Sequence, residues 1–486
     1  MPVQLPDINL TLLLPEIFIA LAGMALLLLT AWREDQEGRE LVANGTIGTI
    51  VVAMGLLWFT AHTTRTTTFG GMFTSDSFAL YMKMLMCTAA LLPLLVSRDY
   101  LKRNEIFKGE YQVLSLFALL GGLIMASSGD FLTLYLGLEL MSLSIYVLAA
   151  FRRDDKRSSE AGLKYFVLGS LASGILLYGI TLIYGASGTT TFTDIHAYVS
   201  GDLHHHGAIV NLGMILILIG FSFKIAAAPF HMWAPDVYEG APTSVTAFMA
   251  VMPKIAAFAA LYRVLLEAFG PLHAEWSPVL QFLAVLSVAV GALAAIAQTN
   301  IKRMLAYSSI GHVGYVLIGL SVGSDLGYQA VLVYLAVYIF MNVGAFTLIL
   351  LLNRDGVGDE ISDYQGLAHK RPLLAFLMAL FMFSMAGIPP LAGFIGKLYV
   401  FMAAVQAGMI KLAIVGILFS AVGAFYYLRV VKRMYFDQPQ SDRDFEMEVS
   451  IPNRLVMGVT GLFVVIVGIF PEQILTWAKI SMSSFQ

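Results

Sequence analysis

The chain has 486 residues, 58% of them hydrophobic and only 13% charged, with a net charge of −3. Soluble domains are about half apolar and about a quarter charged, so an ordinary soluble enzyme is excluded, and with 29 basic against 32 acidic residues there is no basic domain for nucleic acid. The single cysteine, Cys87, allows no internal disulfide and no Cys-ligated zinc or iron–sulfur centre.

Apolar runs of about 20 residues, enough to cross a bilayer as helix, recur along nearly all of the sequence. They predict an all-α polytopic membrane protein with about fourteen transmembrane helices. The runs lie near 10–31, 41–60, 77–96, 111–128, 130–151, 160–184, 208–231, 242–266, 278–298, 301–321, 328–352, 372–407, 410–432 and 453–474. The residues before the first run, Met1 to Asp7, carry no basic cluster, and the run itself is long. It reads as an uncleaved span and not as a signal peptide.

Lysine and arginine in the connecting segments give the orientation. Segments after odd-numbered spans carry Arg33, Arg39, Arg98, Lys102, Arg103, Lys108, Arg152, Arg153, Lys156, Arg157, Lys302, Arg303, Arg354, Lys370, Arg371, Arg429, Lys432, Arg433, Arg443 and Arg454. The other side carries only Arg65, Arg263, Lys411 and Lys479. That asymmetry places both termini outside the cytoplasm.

The remaining five basic residues, Lys83, Lys164, Lys224, Lys254 and Lys397, fall inside predicted spans. A charge at the bilayer centre costs about 2.5–3.5 kcal/mol even on the lenient insertion scale, and such groups tend to line ion or proton paths. Glu139 lies mid-span in FLTLYLGLELMSLSIYVLAAF and needs a cationic partner to stay charged. The next span offers Lys164, so a Glu139–Lys164 pair is expected, either as a functional element or as a packing device. Lys224 lies inside the seventh span, where a lysine facing inward has no route to the headgroups. Lys254 follows Pro253, and its ammonium could instead satisfy a carbonyl freed by the proline. Lys397 follows the break in the twelfth span. Lys83 is close enough to the start of its span to snorkel to the interface. Asp130, Glu16 and Glu110 read as interfacial. His231 and His312 suit a proton relay because imidazole changes charge near neutral pH, although either could serve packing alone. The tract His204-His205-His206 has no acidic or cysteine companion nearby, and no metal site is assigned to it.

Proline interrupts two spans, the seventh at Pro229 and the twelfth at Pro389-Pro390. In lipid such a break is tolerable only where protein or water re-satisfies the freed backbone, and paired breaks in two halves point to a transport site. FSFKIAAAPF (221–230) can be set against FSMAGIPP (383–390), and SGILLYGI (173–180) against VGYVLIGL (313–320). Two blocks of five spans result, the second inverted relative to the first because five is odd. The expected organisation is an N-terminal unit of three helices (1–110), a first repeat (111–270), a second, inverted repeat (271–435), and a loop with the last helix (436–486).

HMWAPDVYEGAP, the GLEL of the fifth span, the KYF of the sixth and GFIGKLYVF of the twelfth resemble the antiporter-like membrane subunits of proton-pumping NADH:quinone oxidoreductase, respiratory complex I. PDVYEGAP, the lysine in GFIGK and the modest length resemble the N type among them. The resemblance covers most of the chain and is strongest across 110–435. It implies a translocase subunit of a bacterial inner membrane, packed against related antiporter-like subunits. NADH, FMN, iron–sulfur clusters and quinone would be held by partner subunits, with no cofactor or metal in this chain. It also implies a proton relay through Glu139, Lys164, Lys224, His231, Lys254, His312 and Lys397, with Lys83 outside it. In that relay, formation of the Glu139–Lys164 pair removes an anionic neighbour from Lys224, which then releases its proton toward Lys254 and Lys397. Alternatives from other classes are a subunit of a multi-subunit sodium/proton antiporter and a membrane scaffold that pumps nothing.

Overall fold

The computed structural model describes residues 8–60, 64–201, 207–354, 358–438 and 448–485; His204, His205, His206 and Arg443 lie outside them. In chain order the α-helices are α1 (Leu14–Trp32), α2 (Gln36–Phe59), α3 (Ser77–Arg103), α4 (Gly109–Ser127), α5 (Phe131–Ala149), α6 (Lys156–Ser187), α7 (Phe192–Val199), α8 (Gly207–Ile225), α9 (Trp233–Gly240) and α10 (Thr243–Met249). They continue with α11 (Met252–Arg263), α12 (His273–Ile296), α13 (Ile301–Ser321), α14 (Asp325–Leu352), α15 (Leu367–Lys370), α16 (Pro372–Ala386), α17 (Ala392–Gln406), α18 (Ile410–Phe436), α19 (Ile451–Ile469) and α20 (Glu472–Met482). A short antiparallel ribbon, β1 (Thr66–Thr68) with β2 (Phe73–Ser75), pairs Thr66 with Ser75.

Among the described residues, thirteen helices are long and apolar enough to cross a membrane, and α16 with α17 divides a further apolar stretch in two. The chain is a multi-pass helical membrane protein. Helix starts follow their caps: the side chains of Asp35, Asp76, Asp130, Asn300 and Ser324 each accept a hydrogen bond from a first-turn amide. Asp130 is fully buried, with its second oxygen accepting from Thr190 Oγ1 at 2.8 Å. It is therefore an internal cap, which corrects its reading as interfacial.

The centre of the bundle is formed by α11, α13 and α14, buried on nearly every side. Outer helices such as α1, α6 and α18 turn apolar side chains outward, including Leu28, Leu171 and Leu418, as lipid requires. Close helix approach depends on glycine: a Cβ on Gly121 of α4 would lie 2.4 Å from the Gly137 carbonyl of α5.

Two charged groups sit deeper than their sequence positions imply. Lys83 does not snorkel. It is buried and lies 2.5 Å from Glu16, which is itself buried, with its ammonium 4.8 Å from the Phe73 ring. Arg263 is not a loop cation. It ends α11 fully buried, donating to Asp76 Oδ2 (2.7 Å) and Oδ1 (2.7 Å) and to Glu267, which also accepts from Arg65 at 2.8 Å. Removing one partner of a buried pair leaves an uncompensated charge, a loss of about 3–5 kcal/mol, whereas replacing both with apolar groups is often neutral. Lys83→Met is accordingly expected to reduce the amount of assembled protein in the membrane. Glu16→Leu combined with Lys83→Met should restore it, as read by thermal stability of the detergent-solubilised protein.

Candidate functional site

The two proline breaks set the geometry. Proline clashes with the carbonyl four residues earlier, and α8 ends at Ile225, four before Pro229, while α16 ends at Ala386, four before Pro390. After the first break the Phe223 carbonyl accepts from Trp233 Nε1 at 2.9 Å. After the second, Gly387 takes the left-handed conformation (φ 87°) that closes α16. Lys397 Nζ, from α17, donates to the Met385 and Ala386 carbonyls at 2.9 Å each and to Ser420 Oγ at 2.9 Å. The lysine is thus a side-chain cap on a helix end buried in the bundle.

Lys224 is buried near the end of α8 and donates to Ser142 Oγ (2.8 Å) and Tyr146 Oη (3.0 Å) of α5. Glu139, Ser142 and Tyr146 are spaced three and four apart, which puts them on one helix face, so Glu139 shares a face with both hydroxyls that hold Lys224. Tyr146 Oη occupies space left by Gly169 of α6, where a Cβ would come within 2.1 Å of it. Gly169→Ala should push that hydroxyl away from Lys224 and, on the expectation of a proton relay through Lys224, slow proton transport, with Tyr146→Phe giving a comparable loss. Both are measurable as acidification of membrane vesicles.

Lys254 is buried one residue past Pro253, hydrogen-bonded to Ser309 of α13, with the Tyr238 and Tyr338 rings at 5.5 and 5.9 Å. The Ala250 carbonyl, three residues before Pro253, accepts from Tyr338 Oη at 3.0 Å. Three residues along α13, His312 is buried with Nδ1 2.7 Å from Tyr334 Oη and Nε2 3.0 Å from Tyr427 Oη. Tyr427 also bonds Ser308, and the His312 and Tyr338 rings are 5.5 Å apart. A cavity of about 10 Å³, at the lower edge of what holds one water, is lined by His312, Tyr315, Lys397 and Ser420. Lys254, His312 and Lys397 are each held by hydroxyl groups, from Ser309 of α13, Tyr334 of α14 and Tyr427 and Ser420 of α18. Among the described residues, no carboxylate pairs with Lys254 or Lys397.

Two expected members stand apart. Lys164 does not pair with Glu139. Its Nζ lies 2.9 Å from Asp236 Oδ2 and 2.7 Å from Glu160 Oε1, partly exposed. The physical reason is reach: α9 and the preceding turn of α6 itself present carboxylates to the same ammonium. Glu139 Oε1 is buried without a hydrogen-bond partner among the described residues. His231 is half-buried in the turn after α8, with Nδ1 lacking a hydrogen-bond partner among the described residues and its ring 6.5 Å from that of Tyr307. Asp236 also accepts from Arg303 Nη1 at 2.7 Å, and Arg303 reaches Glu239 at 3.0 Å. Partial burial pushes the Asp236 carboxyl up, but Lys164 and Arg303 outweigh it and hold it below the usual carboxylate range. Sequence reading missed Asp236, Ser309, Tyr338, Tyr427 and Ser420. Asp236 stood in the quoted HMWAPDVYEGAP, and Ser309 precedes His312 by one helical turn, but nothing in the spacing marks which hydroxyls face inward.

Comparison with known proteins follows the same lines. The sequence model of the NADH:quinone oxidoreductase/Mrp antiporter transmembrane family matches residues 128–423. The chain is 61% identical to the NADH-quinone oxidoreductase subunit N of Magnetococcus marinus, over 98% of each chain. It is 49% identical to that of Paramagnetospirillum magneticum, over 98% of each. A chain of respiratory complex I from Thermus thermophilus is 33% identical with a TM-score of 0.81, covering 95% of this chain and 98% of that one. A chain of the Mrp complex from a Dietzia species shares the fold at 20% identity, with a TM-score of 0.84 and 98% of each chain covered. By sequence and by fold, the chain belongs to the NADH:quinone oxidoreductase/Mrp antiporter family of membrane subunits.

Proposed function

We propose that the chain is the proton-translocating N-type subunit of an NADH:quinone oxidoreductase, embedded among related antiporter-like subunits in the bacterial inner membrane. The observation that carries this reading is the burial of three amines, Lys224, Lys254 and Lys397, with His312 in the same apolar bundle, each held by hydroxyl or carbonyl groups. A scaffold gains nothing from charges that each cost insertion energy. NADH, FMN, iron–sulfur clusters and quinone are handled by partner subunits, and this chain moves protons. Among the described residues no cluster could hold a metal ion.

The relay comprises Glu139, Lys164, Lys224, His231, Lys254, His312 and Lys397. Residues 111–270 and 271–435 act as two inverted halves, each with one broken helix, opening toward opposite sides. Both termini face away from the cytoplasm. Moving one proton against roughly 180 mV takes about 4 kcal/mol at 2.3 kcal/mol per 100 mV. That is about a thousandfold change in the proton affinity of a relay lysine between loading and release. A neighbouring carboxylate that gains or loses a cation, in a medium of low dielectric, supplies changes of that order.

The test is purification in mild detergent followed by reconstitution. Flavin and iron–sulfur signals should accompany the chain, and NADH should drive acidification of the vesicles. Sodium-dependent proton exchange without NADH oxidation would overturn this assignment in favour of an antiporter.

A further inference from the structure

Lys164 rests on the wrong carboxylate for a simple Glu139–Lys164 switch. Its ammonium is 2.9 Å from Asp236, on the short helix that follows the first break, while Glu139 keeps a buried oxygen without a donor among the described residues. A buried acceptor left unpaired carries a standing desolvation cost, so Glu139 has a claim on any cation that can reach it. Asp236 does not depend on Lys164 alone, because Arg303 binds its other oxygen at 2.7 Å. It therefore remains paired when Lys164 leaves. Glu160, on the same helix as Lys164, is largely exposed and travels with it, and exposed pairs of this kind are weak.

The aromatic packing ties this contact to the break. Tyr165, next to Lys164, stacks on Trp233 at 4.2 Å and 7° and meets Tyr146 edge-on at 4.7 Å. Trp233 begins α9, the helix that carries Asp236, and its indole holds the Phe223 carbonyl beside Lys224. Tyr146 is one of the two hydroxyl partners of Lys224. A shift of α9 thus acts on the holder of Lys164 and on the surroundings of Lys224 together.

We propose that Asp236 is a positioning residue, the alternative partner that competes with Glu139 for Lys164. With Lys164 on Asp236, Glu139 is free to favour a proton on Lys224. When α9 moves and Lys164 passes to Glu139, that support is withdrawn and the proton on Lys224 Nζ leaves for the next relay base. This inference rests on the relay reading above.

The experiment measures protons pumped per NADH oxidised in inverted membrane vesicles holding the whole complex, with its assembly checked in parallel. Asp236→Asn should lower the ratio by roughly twofold or more, and Asp236→Glu should restore it. In a Lys164→Ala background, Asp236→Asn should add nothing, because Asp236 acts through Lys164. Lys164→Arg keeps every charge yet grips Asp236 through a planar fork, and should also lower the ratio. This variant decides the matter if Asp236→Asn does not assemble. Additive losses in the double variant, or full pumping by assembled Asp236→Asn or Lys164→Arg, would overturn the proposal. Full pumping by Lys224→Ala defeats the relay itself, whereas a silent Asp236→Asn beside a dead Lys224→Ala defeats only the alternative partner.

Discussion

Replacing Lys224 with alanine is expected to abolish NADH-driven acidification, a loss on the order of 100-fold, typical of removing a proton-transferring group. The amine is the one base in its surroundings that is bonded to both Ser142 and Tyr146 of α5. Ser142 already donates to the Leu138 carbonyl at 2.6 Å, so that hydroxyl stays satisfied, Tyr146 Oη gives up one accepted bond, and assembly should survive. The two readouts then separate. Complex recovered from the membrane stays near the parental amount, while the pH-dependent dye signal in inverted vesicles disappears. Persisting acidification with a normal yield of complex would refute the role of Lys224. Glu139→Ala should give a similar loss of pumping, because the carboxylate shares the face that holds the amine.

Lys397 carries the second large effect, and here transport and architecture are entangled. Its ammonium caps the Met385 and Ala386 carbonyls at the end of α16. Lys397→Leu therefore removes a base of the proposed relay and exposes two buried acceptors, each worth about 1–3 kcal/mol, and the subunit should be lost from the membrane as well as inactive. Lys397→Arg separates the two roles. A guanidinium can still donate to both carbonyls but does not give up its proton. The expected outcome is normal assembly with pumping lowered on the order of 100-fold. An arginine variant that pumps normally would show that the position is a cap and nothing more.

Much of this was legible in the sequence because membranes impose simple rules. Length and apolarity gave the spans, and the helix ends at Ile225 and Ala386 fall four residues before Pro229 and Pro390, as proline sterics require. A lysine amid apolar residues announces burial, and Lys224, Lys254 and Lys397 are all buried. What a lysine does not announce is its partner. Lys164 chose Asp236, 72 residues away, and Lys83 found Glu16 on another helix. Such choices follow from packing angles that no local pattern encodes. Tyrosine was hidden for a related reason. Nothing in the pattern singles out Tyr334, Tyr338 or Tyr427, yet their hydroxyls build the surroundings of His312 and of the Ala250 carbonyl. Period and composition do not reveal which ring points inward.

One helix brings Ser308, Ser309, His312 and Tyr315 to the same neighbourhood. Each residue added to a helix rotates everything beyond it by about 100° and lifts it by about 1.5 Å. A one-residue insertion or deletion within 308–315 would leave α13 equally apolar and equally helical, yet it would swing His312 or Tyr315 away from the neighbours it now meets. Across that stretch the phase of the screw matters as much as the identity of any side chain.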